Sequence, residues 1–177
     1  SSFEKRGVSF LVQSQVMEVN SEGAFVRVKI KGADGAILEK TYDKVLLAVG
    51  RVPDLTSLGI ENTGIKTCKN AIAVDSNMQT SVKGVYAAGD VTTLLQLAHV
   101  GYRQGEIAAE HAVKGETESF LTLSEIPRCL YCEPELASFG STEDQLIQEG
   151  REYKKTLFPF RPNGKATAMQ KNEGIVK

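Results

Sequence analysis

Between residues 25 and 31 apolar and charged side chains alternate without a break, with Val26, Val28 and Ile30 on one side and Arg27, Lys29 and Lys31 on the other. Successive side chains of a strand point to opposite faces, so this pattern suits a sheet with one dry face and one wet face. The preceding residues 8–19 are rich in β-branched side chains, and Asn20-Ser21-Glu22-Gly23 offers a turn between the two stretches. A half-buried antiparallel hairpin is therefore expected. A second turn, Lys31-Gly32-Ala33-Asp34-Gly35, leads through Ile37 and Leu38 to the unbroken apolar run Val45-Leu46-Leu47-Ala48-Val49. A run without alternation is the pattern of a strand covered on both faces.

Residues 51–84 are loop-rich, with one short strand expected over 72–74. Val85-Tyr86-Ala87-Ala88 then reads as a second short buried strand that ends at Gly89-Asp90. From 97 to 114 the recurrence of Val100, Ile107, Ala108 and Ala112 near the 3.6-residue period predicts a helix, closed by Lys114 and Gly115. Gly101, Gly105 and Ala109 make a small-residue stripe on it, which permits close approach to a sheet or ligand at about 1 kcal/mol per glycine in helix propensity. A strand is expected through Cys129 and Tyr131. A short helix capped by Ser141, with Asp144 three residues on and Gly150 as its stop, should follow, and then a strand over 152–160.

Charge and cysteine content narrow the function. Lys and Arg number 21 against 22 Asp and Glu, a formal charge of -1, and no run of five like charges occurs. Neither nucleic acid nor an anionic membrane is expected as partner. No apolar stretch approaches the roughly 20 residues of a membrane helix. The start Ser1-Ser2-Phe3-Glu4-Lys5-Arg6 lacks the apolar region of a signal peptide. Three cysteines, sparse and odd in number, fit a reducing compartment, and a cytoplasmic location is expected. Phe3-Glu4-Lys5-Arg6-Gly7 looks like the last turn of a helix, and Gly174-Ile175-Val176-Lys177 like the start of a strand, so both ends look cut.

The segment Thr80-Ser81-Val82-Lys83-Gly84-Val85-Tyr86-Ala87-Ala88-Gly89-Asp90 delivers a carboxylate at the C-terminal end of a buried strand, where Ala88 and Gly89 let a ligand approach the backbone. It resembles the second FAD signature of flavoproteins with two dinucleotide-binding domains. The resemblance implies that Asp90, beside Gly89, accepts a hydrogen bond from a ribityl hydroxyl of FAD. Gln96-Leu97-Ala98-His99 is similar to the segment ending in Leu-Ala-His that lies beside the flavin pyrimidine in dihydrolipoamide dehydrogenases. There a helix N-terminus, with its free N–H groups and positive dipole end, would stabilise negative charge on the reduced flavin. The backbone would do this work, and the His99 imidazole would pack or cap. The segment from Tyr42 through Gly50 to Asp54 resembles the passage from the NAD domain back to the FAD domain, and it implies NAD contact at Gly50. Val16 would abut the adenosine half of NAD by the same resemblance, or be a plain strand valine. The segment from Ile126 to Gly140 resembles the entry to the C-terminal interface domain, with Phe139 where a valine is usual.

What the resemblance implies is an α/β chain, mixed α+β in this stretch, holding parts of the two-dinucleotide-binding-domain fold and the start of the interface domain. Its divisions are residues 1–50, the end of the NAD-binding domain; 51–120, the returning FAD-binding segment; and 121–177, the first half of the interface domain. The cofactors are FAD and NAD. The parent would be a homodimer that oxidises dihydrolipoamide on the lipoyl-bearing protein of a 2-oxoacid dehydrogenase complex. No G-x-G-x-x-G motif, no cysteine pair separated by four residues and no His-Pro occurs in the chain, so it has no catalytic residues of its own and turnover by it alone is not expected. A related disulfide or mercuric reductase, or a non-catalytic assembly role, remains open. Cys129 and Cys132 invite a redox reading. On one strand, however, three steps of ~3.3 Å would set their Cα atoms roughly 10 Å apart, beyond the ~7 Å reach of a disulfide. His111 and Glu116 match the spacing of the family's His/Glu dyad without its Pro and Thr, and Cys68 reads as a surface thiol.

Overall fold

The computed structural model describes residues 2–92 and 95–177; Ser1, with which the N-terminal segment discussed above begins, and Thr93 and Leu94 lie outside the described residues. The chain divides into two compact units, Ser1–Gly50 and Arg51–Lys177. Among the described residues no helix is long and apolar enough to cross a membrane.

The first unit opens with a single helical turn, α1 (Ser2–Lys5), followed by Gly7 at φ 84°. Three strands then form an antiparallel sheet in sequence order: β1 (Gln15–Glu22), β2 (Phe25–Lys31) and β3 (Ile37–Tyr42). The alternation in β2 is realised, since Val28 and Ile30 are 4% and 8% exposed while Arg27 and Lys31 face solvent. β1 runs on to Glu22, which pairs with Phe25, so the turn tightens to Gly23 and Ala24, with Gly23 at φ 64°. A positive φ at the first central residue matches the right-handed twist of the flanking strands. One irregularity repairs a flaw in the sequence pattern. Val16 and Val19 are three apart and would face opposite sides of a regular strand, but a bulge at Met17 lets Val16 pair with Ile30 and Val19 with Val28. Both valines thereby join the apolar face. On the wet face Lys29 and Glu39 are cross-strand partners with an ion pair at 3.7 Å.

The expected buried strand over residues 45–49 does not form. These residues have no strand partner among the described residues, and Leu46, Leu47 and Val49 are 89%, 79% and 85% exposed. An apolar run specifies that it should be covered, yet burial of a strand requires neighbours to complete its hydrogen-bond ladder, and this unit supplies none.

The second unit is held by a small apolar core of Ile60, Ile72 and Ala87, with Leu55, Ile65, Val74 and Val91 packed against it. Asp54 opens it by accepting from the backbone N–H and the hydroxyl of Thr56, which holds its carboxyl below the usual range. β4 (Thr67–Cys68) and β5 (Ala71–Ile72) form a minimal hairpin, so the strand expected over 72–74 lies slightly earlier. Residues 85–88 form no regular strand. They make one antiparallel bridge, Gln79 to Tyr86, flanked by bonds from Thr80 N–H to Val85 O and from Ala87 N–H to Met78 O.

The long helix α2 (Ala98–Lys114) matches its expected limits, with Leu97 as N-cap and Gly115, at φ 78°, donating its N–H to the His111 carbonyl. Its buried stripe is Val100, Gln104 and Ile107 rather than the alanines, and Ala109 and Ala112 are exposed. Glu110 is pulled down to about 2 by hydrogen bonds from Lys114 and from the Thr117 hydroxyl. Beyond it β6 (Arg128–Leu130) pairs with β7 (Leu136–Ser138). β6 stops before Tyr131, so Cys132 sits in the loop, its thiol donating to the Pro134 carbonyl at 3.1 Å. Cys68, Cys129 and Cys132 are free and exposed.

The next helix, α3 (Glu143–Gln148), begins one residue later than expected. Thr142, not Ser141, is the cap, and Gln145, not Asp144, completes the reciprocal capping box. Both pairs carry the right groups, and the longer Gln145 side chain reaches back to the Thr142 N–H at 2.8 Å. The expected strand over 152–160 shrinks to β8 (Phe158–Pro159). After the short α4 (Gly164–Ala168) the chain returns as β9 (Ile175–Val176), which pairs with β8. Pro159 lacks the N–H that a longer ladder would need.

Candidate functional site

The chemistry-bearing part of the second unit is built around the turn at Gly89 and Asp90. Residues 78–87 form a tightly tied loop beneath it. The Asp75 carboxylate accepts from the N–H groups of Asn77 and Gln79, Gln79 Oε1 accepts from Gly84 N–H, and the Ser81 hydroxyl joins Lys66 N–H to Gly64 O. These bonds deliver the chain at Ala87, which is buried, into a 3-10 turn over Gly89–Val91. Gly89 takes φ 81°, a conformation that an L side chain resists, and a Cβ built there meets nothing within 4 Å. The space beside the turn is open. Asp90 is exposed, and no hydrogen bond among the described residues engages its carboxylate.

Helix α2 packs its first turns directly against this corner. A Cβ on Gly101 would stand 3.3 Å from the Gly89 Cα, so the glycine is what permits the approach. Gly105, the next member of the small-residue stripe, has nothing near it. At the head of α2, Leu97 makes no side-chain cap, and Val100 and Gly101 both donate to its carbonyl at 3.0 and 3.1 Å. The N–H groups of Ala98 and His99 have no partner among the described residues, as the geometry of a first helical turn requires. The Gln96 side chain donates to the Asp90 carbonyl at 3.4 Å. The His99 Nε2–H donates to the Pro127 carbonyl at 2.9 Å, so the imidazole ties the helix head to the chain 28 residues on.

Of the residues singled out from the sequence, Gly89, Asp90, Gln96, Leu97, Ala98 and His99 thus converge at one corner. An exposed carboxylate and a helix N-terminus with free donors there suit a ligand that presents both hydroxyl groups and developing negative charge. Gly50 and Val16 belong to the first unit. Gly50 takes φ 122° with open space at its Cβ position, and Val16 is an exposed β1 residue opposite Ile30. His111 is taken up structurally, its Nδ1 2.8 Å from the Tyr86 hydroxyl and its ring edge-on to that tyrosine.

One residue at the corner was not found from the sequence. Gln104 is fully buried, its Oε1 accepting from Gly89 N–H at 2.6 Å and its Nε2 donating to the Thr92 hydroxyl at 3.2 Å. The Thr92 hydroxyl in turn donates to the Gly89 carbonyl at 2.9 Å. The available signal was a lone polar residue in the apolar stripe, four after Val100 and three before Ile107.

Comparison with known proteins places the chain in a family. The family described as pyridine nucleotide-disulphide oxidoreductase matches residues 1–105, and the dimerisation domain of the same family matches residues 126–177. A dihydrolipoyl dehydrogenase of Corynebacterium glutamicum is 40% identical over 99% of this chain, and one of Bacillus subtilis is 35% identical over all of it. The chain spans 38% and 37% of those proteins. Among solved structures, LpdA of Mycobacterium tuberculosis superimposes with a TM-score of 0.85 at 32% identity, covering 98% of this chain and 37% of that one. The HOCl-induced flavoprotein disulfide reductase RclA of Escherichia coli reaches 0.80 at 25% identity, over 98% of this chain and 39% of its own. The mixed α/β architecture is that of parts of these oxidoreductases, and the cofactors of the dihydrolipoyl dehydrogenase family are FAD and NAD. The chain belongs to the pyridine nucleotide-disulphide oxidoreductase family.

Proposed function

We propose that this chain forms the FAD-contacting corner of a cytoplasmic dihydrolipoamide dehydrogenase. The observation that carries this is the Gly89–Asp90 turn, with its open approach and a carboxylate unengaged among the described residues, set against the head of α2, which has no side-chain cap. Asp90 accepts from a ribityl hydroxyl, and Gly89 keeps the approach clear. The N–H groups of Ala98 and His99, with Gln96 and Leu97 shaping the turn before them, would donate to a ring that gathers negative charge on reduction. FAD, when bound, relays two electrons from a dithiol to NAD. The net exchange would be one dithiol oxidised to a disulfide for one NAD reduced to NADH, with one proton released. The family's redox cysteine pair has no counterpart in these 177 residues, so the part played by this chain is cofactor binding.

In this reading residues 1–50 are the end of the NAD-binding domain, with Gly50 and Val16 on its NAD side. Residues 51–120 are the returning FAD segment, and 121–177 open the interface domain. The dimerisation-domain match over 126–177 supports a homodimer. The lipoyl-bearing protein of a 2-oxoacid dehydrogenase complex is the proposed electron donor. A second reading, a disulfide reductase with another substrate, is favoured by the likeness to RclA. Dihydrolipoamide-dependent reduction of NAD by the full-length protein decides between them, since its absence with flavin bound removes the first reading.

The site itself is tested by Asp90→Ala in the FAD-loaded full-length protein. Loss of a hydrogen bond to a charged acceptor, worth about 1.5–3 kcal/mol, should weaken FAD retention roughly 10- to 150-fold. Unchanged retention, measured by flavin release on dilution, would remove Asp90 from the site.

A further inference from the structure

Gln104 is the most enclosed polar side chain of the described residues, and nothing in the function proposed above calls on it. Its amide does two unlike things at once. The oxygen accepts from Gly89 N–H at 2.6 Å and the nitrogen donates to Thr92 Oγ1 at 3.2 Å. Thr92, itself 3% exposed, closes the ring by sending both its hydroxyl and its N–H to the Gly89 carbonyl, at 2.9 and 3.0 Å. Both polar groups of the Gly89 peptide positions are therefore held from within the protein, one by α2 and one by Thr92. The residue that follows, Asp90, has no partner for its carboxylate among the described residues. A glycine at φ 81° is the most mobile kind of backbone hinge, so a turn built on it keeps one direction only if its N–H and C=O are both claimed.

Resting on the FAD reading above, we propose that Gln104 is a positioning residue for the flavin. It touches no ligand, but by holding the Gly89 N–H it aims the Asp90 carboxylate at the ribityl chain before FAD arrives. Gly101 eases this approach, because a Cβ at that position would stand 3.3 Å from the Gly89 Cα and push α2 or the turn by a few tenths of an ångström. An amide has no charge to desolvate, so the lock works at any pH that leaves the protein folded.

The test uses the full-length flavoprotein that contains this chain, with Gln104→Met, which preserves length and apolar volume but removes both bonds. The Kd for FAD by flavin fluorescence, the exchange rate of the Gly89 amide in the apoprotein and the melting temperature are measured together. We expect FAD binding to weaken about tenfold and Gly89 exchange to quicken at least tenfold, as follows from one buried donor left without its acceptor. Gln104→Glu should restore both while its buried carboxyl is protonated, since the neutral acid accepts from Gly89 N–H and donates its O–H to the Thr92 hydroxyl, and should lose both when the carboxyl ionises. If Gln104→Met leaves the Kd for FAD within about twofold of the unaltered protein while Asp90→Ala loosens FAD, Gln104 is only a core residue and the inference falls, with the site reading intact. If neither variant affects FAD, the site reading falls and takes the inference with it. Should Gln104→Met fail to fold, Thr92→Val, which opens the same ring from its milder side, decides: a loss of FAD affinity of about threefold supports the lock, and an unchanged Kd overturns it.

Discussion

Two segments of this chain look alike in sequence and behave in opposite ways. Residues 45–49 and residues 85–88 are both short apolar runs that end in a glycine, Gly50 and Gly89, and both read as buried strands. Residues 45–49 have no ladder partner among the described residues and are largely exposed. Residues 85–88 are held by the bonds around Gln79 and Thr80, by the core contact of Ala87 and by the Gln104–Thr92 ring just beyond. Composition does not separate them. What does is whether partners lie nearby along the chain: Met78, Gln79 and Thr80 are within ten residues of the second run, and α2 follows it closely. An apolar run is thus a statement of demand, and its structure depends on where the supply is.

The comparison sharpens most at the two cores. Ile107→Ala removes a fully buried side chain behind the Gly89 corner and should cost about 3 kcal/mol in a urea melt of the second unit. Leu47→Ala, in the exposed run, should change stability by less than about 0.5 kcal/mol. Equal effects would mean that residues 45–49 are covered in solution after all. A smaller contrast lies along α2. Gly101→Ala places a Cβ 3.3 Å from Gly89 Cα, so the helix or the turn must give by a few tenths of an ångström, which offsets the helix-propensity gain of up to about 1 kcal/mol. Gly105→Ala meets nothing and should instead stabilise by up to about 1 kcal/mol through helix propensity. Thermal melts should therefore rank Gly105→Ala above Gly101→Ala.

The smallest expected effect concerns Glu143, which ties α3 to the chain's last strands. Hydrogen bonds from Lys177, Lys155 and Tyr153 lower its pKa from 4.5 to about 2. A carboxyl with a depressed folded pKa contributes stability above its unfolded value and loses it as pH falls toward the folded value. The contribution should be present above about pH 4.5 and fade toward pH 2. Following the Lys155 and Tyr153 resonances by NMR across that window checks it, and Glu143→Gln should flatten the change.

Much of the fold was legible in the sequence because it is local. The dry face of β2 follows from a two-residue period, and the limits of α2 follow from its periodicity and from Gly115. The corner at Gly89 and Asp90 stood out because eleven consecutive residues carry it. Where the reading slipped, two local solutions were nearly equivalent or a partner was assumed. Thr142 and Ser141 both offer a capping hydroxyl one residue apart, and the choice came from the reach of Gln145. The strand expected over 152–160 had Pro159 near its end, and only two of its residues pair.

By itself, then, the sequence determined which residues alternate, where the long helix starts and stops, and which carboxylate is offered at the end of which turn. Each of these depends on interactions within a few residues, and the types of the residues suffice to specify them. Tertiary structure alone decided that a bulge at Met17 would bring Val16 and Val19 to one face, that residues 45–49 would stay uncovered, and that Gln104 would reach back 15 residues to hold Gly89. A polar side chain on an apolar helix stripe is a cost until it finds a partner, and whether one stands within 3 Å depends on how closely two distant segments pack.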